Sequence, residues 1–210
     1  MGVLNCEQIK ERIEEKSYKK KLLITPILSP EQIGPASVDI RLGSSIVIPK
    51  KTYVESQDVT NADLAYQVEK RVYDRVRLKY HTKFVLHPDQ LILGVTFEYI
   101  VLPFDLFGMI ASRSSWGRLG LVVATAAVVQ PGFKGCLTLE LANLSESPIA
   151  LYPGLLVGQL VFHEVPSKGA FAGYAGRYKC PTEAGLPDFY AQGADKEMSF
   201  WGETKDSGSQ

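Results

Sequence analysis

Residues 136–162 read CLTLELANLSESPIALYPGLLVGQLVF: three short apolar runs, CLTLEL, PIALY and LLVGQLVF, parted by a polar Asn-Leu-Ser-Glu-Ser stretch and a Pro-Gly turn. Within the first run Leu137, Leu139 and Leu141 alternate with Thr138 and Glu140, the period of two that sends successive side chains to opposite faces of a strand. The linkers are too short to carry the chain back through a helix, so neighbouring strands are expected to run antiparallel.

Working upstream, LILGVTFEYIVL (residues 91–102), GMIAS (108–112) and LVVATAAVV (121–129) have the same build, rich in β-branched and aromatic residues and bounded by Pro, Gly, Asp or Asn. Earlier still, Val38, Ile40 and Leu42 alternate with Asp39 and Arg41, and Ile46 to Ile48 run into Pro49. No Rossmann glycine run or Walker loop interrupts the pattern. The expected fold is therefore mainly β: a distorted antiparallel jelly roll or β-barrel. It is preceded by a helix in which Cys6, Ile9 and Ile13 share a face and Asn5 with Gln8 forms a capping box. Pro26, Pro30 and Pro35 make the next segment extended, and residues 50–80 read as a polar excursion. Pro88, Leu91, Ile92, Val95 and Phe97 are echoed at the same offset by Pro153, Leu156, Val157, Leu160 and Phe162, which suggests two similarly built strands after turns rather than a solenoid.

The 210 residues carry 23 Lys plus Arg against 23 Asp plus Glu, and 45% of them are apolar. This balance disfavours a nucleic-acid polymer as partner. The three cysteines, Cys6, Cys136 and Cys180, are too irregularly spaced for a disulfide framework or a paired-Cys zinc site, and Cys180 reads as incidental. No apolar stretch precedes the N-terminal charges, and Leu121–Val129 is about half the length of a membrane helix. The expectation is a cytoplasmic protein with no membrane partner. One domain is expected over residues 1–168, and residues 169–210 read as a C-terminal tail to be ordered by a ligand or neighbour, with a flexible end.

Two groups of residues suggest chemistry. Ser112-Arg113-Ser114-Ser115-Trp116-Gly117-Arg118 offers hydroxyls, amides and guanidinium groups suited to an oxyanion or phosphate, although an ordinary polar turn has the same composition. Glu140, on the face of its strand opposite the leucines, is either a solvated carboxylate or a semi-buried base. His81, His87 and His163 match no zinc-deaminase spacing and read as turn or surface residues. Phe171, Tyr174, Arg177, Tyr178 and Lys179 interleave aromatic and basic groups, which fits a cover for one small phosphorylated ligand.

Taken together, ASRSSWGRLGL, Thr125-Ala126, PGFKGCLTLEL, YPGLLVGQLVF, QIGPASVDIRLG and FVLHPDQLILGVTFEYIVLP resemble the dCTP deaminase branch of the trimeric dUTPase-like superfamily. The resemblance implies a homotrimer whose nucleotide sites lie at subunit boundaries beneath the C-terminal tail. It implies conversion of dCTP to dUTP without zinc, with Mg2+ bound through the substrate triphosphate. Glu140 is then the general base, with Ser114 and Arg118 in the active-site loop. Arg113 and Ser115 are expected to hold the triphosphate, Ala126 and Gln130 to line the nucleoside pocket, Phe133 to pack on deoxyribose, and Tyr174, Arg177 and Tyr178 to close the lid.

The sequence also departs from that family. Val129-Gln130 stands where Ile-Asp is usual, and Gln130 can exchange hydrogen bonds but cannot act as a carboxylate base. Ala127-Val128 replaces the usual His-Arg pair. The resemblance thus favours deamination over dUTP hydrolysis, with a related deoxynucleoside triphosphate hydrolase, an altered-substrate deaminase or a non-catalytic nucleotide-binding protein as the alternatives.

Overall fold

The computed structural model describes residues 2–51, 72–123, 128–165 and 180–186. It divides into two compact units, residues 1–48 with 75–185 and residues 49–74 with 186–210. In the smaller unit the Lys50 amide donates to Val72 O at 2.6 Å and its ammonium pairs with Asp74 at 2.7 Å.

The larger unit opens with helix α1 (Cys6–Glu14), whose start is set by the expected capping box: the Gln8 amide donates to Asn5 Oδ1 at 2.9 Å, and the Asn5 amide donates to Gln8 Oε1 at 3.0 Å. Ile9 is fully buried and Ile13 packs on the core. A single 3₁₀ turn covers Pro30–Gln32. The strands before the second helix are β1 (Leu23–Thr25), β2 (Val38–Arg41), β3 (Ser45–Pro49), β4 (Tyr73–Arg77), β5 (Phe84–Leu86), β6 (Leu91–Val95), β7 (Tyr99–Val101) and β8 (Leu106–Ser112). Helix α2 (Ser114–Leu119) follows, then β9 (Leu121–Val123), β10 (Val128–Val129), β11 (Lys134–Gly135), β12 (Thr138–Asn143), β13 (Ile149–Leu151) and β14 (Leu156–Glu164).

Among the described residues these strands form four sheets, ordered β10-β8-β14-β2, β4-β3-β6-β12-β9, β1-β7-β11 and β13-β5. The fold is mainly β with an N-terminal helix, as expected, but these hydrogen-bonded ladders do not join into one closed barrel. Several strands are only two or three residues long, so packing rather than a continuous ladder unites the sheets. One apolar cluster draws on all four: Ile40, Leu160 and Phe162; Ile92, Leu139 and Leu141; Ile24 and Ile100; and Leu86 with Ile149. The echoed segments are both strands after turns, β6 and β14, and they lie in different sheets.

The buried side chains of Gln32, Thr96, Glu98 and Asn143 each have hydrogen-bond partners. Glu98 is fully buried; its carboxylate accepts from Gln32 Nε2 at 3.0 Å, the Arg41 amide at 2.8 Å and Arg41 Nη1 at 3.3 Å. Burial outweighs these bonds and holds its pKa above the ordinary glutamate range.

Candidate functional site

The polar block between β8 and β9 becomes helix α2, started by Arg113, whose carbonyl accepts from the Trp116 and Gly117 amides at 3.0 and 3.2 Å. It stops at Gly120, where φ is +93° and an added Cβ would lie 2.5 Å from Ser145 Cβ. Glycine is required here by both the left-handed backbone and the close approach.

Two side chains tie this loop to the sheet behind it. Trp116 Nε1 donates to Leu156 O at 2.6 Å. Arg113 Nη1 reaches Asp39 Oδ2 at 2.6 Å, while Asp39 Oδ1 accepts from Gln159 Nε2 at 3.1 Å. Asp39 and Gln159 are register partners across β2 and β14, which is why their side chains meet. Ser114, Ser115 and Arg118 of the anchored loop are exposed.

Glu140 occupies the middle of β12, opposite Leu93 of β6. Leu139 and Leu141 are fully buried, whereas Thr138, Glu140 and Ala142 on the other face are half-buried, as the alternation predicts. Strand β9 connects the two groups: it leaves α2 through Gly120 and pairs with β12 at Leu141–Val123. Glu140 and the Arg113–Arg118 loop are thus carried by directly connected elements.

The Gln130 side chain is exposed. Phe133 is 7% exposed and belongs to the apolar cluster, so its ring supports the core. Ala126, Tyr174, Arg177 and Tyr178 lie outside the described residues. His81 and His87 are exposed, but His163 differs from the surface reading: it is half-buried on β14 and stacks on Phe107 at 4.8 Å. Among the described residues no three His, Cys, Asp or Glu side chains gather to hold a metal ion. Asp39 is the carboxylate beside Arg113, and both its oxygens are already hydrogen-bonded.

Sequence reasoning missed two features. Asp39 and Gln159 lay in quoted motifs, but their meeting at Arg113 depends on strand register. Residues 180–185, taken as tail, dock on the body: the Cys136 amide donates to Pro181 O at 2.7 Å, Gly185 N to Thr138 Oγ1 at 2.9 Å, and Arg75 Nη1 to Ala184 O at 3.1 Å. A Cβ on Gly135 would sit 2.4 Å from Pro181 Cδ, so glycine is what lets the segment pass this close, and no local sequence pattern announces the contact.

The class is thus an antiparallel β fold that carries Glu140 on one strand and an exposed serine-arginine loop on the element leading into the neighbouring strand. The sequence model of the dCTP deaminase-like family matches residues 3–165, and the chain belongs to that family as a dCTP deaminase-like hydrolase. It is 41% identical over 180 residues to a protein of Persephonella marina named dCTP deaminase, dUMP-forming, covering 83% of this chain and 93% of that one. It is 39% identical over 169 residues to the dCTP deaminase of Halorubrum lacusprofundi, covering 79% and 78%. The crystal structure of 2'-deoxycytidine 5'-triphosphate deaminase from Agrobacterium tumefaciens shares the fold, with a TM-score of 0.57 and 24% identity over 77% of this chain and 47% of that chain. Among the described residues no helix is long and apolar enough to cross a membrane.

Proposed function

We propose that this enzyme hydrolyses the exocyclic amine of dCTP, consuming water and giving dUTP and ammonia. The observation that carries the reading is the half-buried Glu140 on β12, linked through β9 to the anchored Arg113–Arg118 loop. Glu140 takes a proton from water as the oxygen bonds to C4 and passes it to the amine, the second water proton ends on ring N3 as the C4 carbonyl forms, and the C4–N bond breaks to release ammonia. Ser114 and Arg118 donate to charge developing around the base, while Arg113 and Ser115 hold the triphosphate. This route uses a carboxylate base in place of zinc. Magnesium carried on the triphosphate would neutralise its charge. The working unit is a cytoplasmic homotrimer, which light scattering should report as a mass close to three chains.

A second reading follows from the names of relatives such as that of Persephonella marina, which describe formation of dUMP. On that reading dUTP is hydrolysed further to dUMP and pyrophosphate. Gln130, exposed and without a carboxylate, argues that the reaction stops at dUTP. The test follows ammonia and pyrophosphate separately. Wild type should release ammonia from dCTP and little pyrophosphate from dUTP, and Glu140→Gln should lose about 10²- to 10⁴-fold in ammonia release. Equal ammonia release by the folded variant would remove Glu140 as the base, and rapid pyrophosphate release would favour the second reading.

A further inference from the structure

Cys136 and Cys180 are 44 positions apart in the sequence, yet the fold brings their backbones together. The Cys136 amide donates to the carbonyl of Pro181, the residue next to Cys180, at 2.7 Å. A Cβ on Gly135 would lie 2.9 Å from Pro181 N, so the chain entering Pro181 passes directly over the residue before Cys136. The β11–β7 ladder pairs Gly135 with Ile100, and Cys136 therefore emerges beside Tyr99. Tyr99 senses both sulfurs: a hydrogen bond with the Cys180 thiol is the main cause of its raised pKa, followed by burial and then by the charges of Cys180 and Cys136.

The two thiols are unequal. Cys180 is exposed and sits in a left-handed turn with φ of +50°, whereas Cys136 is buried, and burial followed by the nearby Glu98 charge pushes its pKa up. The exposed thiol can meet a reagent from solution, and the buried one is reachable only from within. Residues 180–185 are also held by Thr138, Arg75 and an Arg77–Glu183 ion pair, and Ala184 is 1% exposed, so the segment that presents Cys180 stays on the body.

We propose that Cys136 and Cys180 form a reversible redox modification site, closing a disulfide that fastens residues 180–185 to the start of β12. The oxidant is a low-molecular-weight disulfide. The Cys180 thiolate attacks one of its sulfurs, giving a mixed disulfide and releasing one small thiol. Cys136, as thiolate, then attacks the Cys180 sulfur and expels the second small thiol. Two protein thiols lose two electrons and two protons, and the reagent disulfide is reduced to two thiols. The fastened segment bonds to Thr138, two residues before Glu140 on the same face of β12, so oxidation acts on the strand that carries the carboxylate.

The test treats the full chain with oxidised glutathione and then maps peptides without reduction, measures intact mass, and follows amide exchange. The expected result is one intrachain Cys136–Cys180 link, with an intact mass lower by two hydrogens and Cys6 still free. Exchange at Gly185 should slow by about tenfold or more and recover on reduction. Cys180→Ser should remove the link, and Cys6→Ser should not. Because replacing buried Cys136 can disturb packing, Cys180→Ser is the primary variant and exchange of its other amides checks the fold. A stable glutathione adduct on Cys180 with Cys136 still reduced, or a link only between chains, would overturn the proposal. None of these readouts depends on the nucleotide reaction.

Discussion

Asp39 grips Arg113 at 2.6 Å across the β2–β14 edge of the four-stranded sheet, and Gln159 holds the other carboxylate oxygen at 3.1 Å. The first residue of the exposed serine-arginine loop is thereby fixed to the sheet by a pair that is itself only partly buried, with side-chain exposures of 33% and 18%. Solvent screens such a pair, so its effect on stability is small compared with its effect on where the loop sits.

Asp39→Asn should therefore cost no more than about 1 kcal/mol in stability. If Arg113 contacts the triphosphate, the same change should raise KM for the nucleotide several-fold more than it lowers kcat. Denaturant unfolding and steady-state kinetics on one preparation check both halves, and an unchanged KM would separate Arg113 from ligand binding.

Phe133→Ala should have two effects. The ring is 7% exposed within the apolar cluster, so truncation should cost about 3–5 kcal/mol. If the ring also packs on deoxyribose, the preference for dCTP over CTP should narrow in the fraction that remains folded. Selectivity measured below the variant's unfolding transition distinguishes the two effects.

Gly120→Ala should destabilise by about 1–3 kcal/mol, because the left-handed backbone at +93° and the 2.5 Å approach to Ser145 both oppose a side chain. Gly117→Ala provides the control, since nothing beyond the backbone of its own helix lies within 4 Å of an added Cβ there. Thermal melts should separate the two variants clearly.

Glu98 leads to a pH prediction. Its folded pKa is raised, chiefly by burial, so between the unfolded and folded values the native state binds more protons than the unfolded chain. Its contribution to stability is greatest below the unfolded pKa and declines as pH rises through the folded one. Urea midpoints measured from pH 4 upward should carry this negative component, and Glu98→Gln should remove it while lowering stability by leaving Arg41 without its counter-charge.

Local chemistry by itself determined much of this protein. The Asn5–Gln8 capping box and the spacing of Cys6, Ile9 and Ile13 specify α1 within a few residues, and the alternation in CLTLEL separates Leu139 and Leu141 from Glu140 without any knowledge of partners. These features were legible because capping bonds span three residues and strand faces repeat every two. The quoted motifs also carried the family, since each motif is contiguous.

Only the tertiary structure decided that Asp39 meets Gln159 and Arg113, that Glu98 is buried against Gln32 and Arg41, and that residues 180–185 run back over Gly135 and Thr138. Those contacts join positions 46 to 120 residues apart, and one of them sets a carboxylate in the core. Strand register and burial are collective outcomes of packing the whole chain, and no short window of residues contains them.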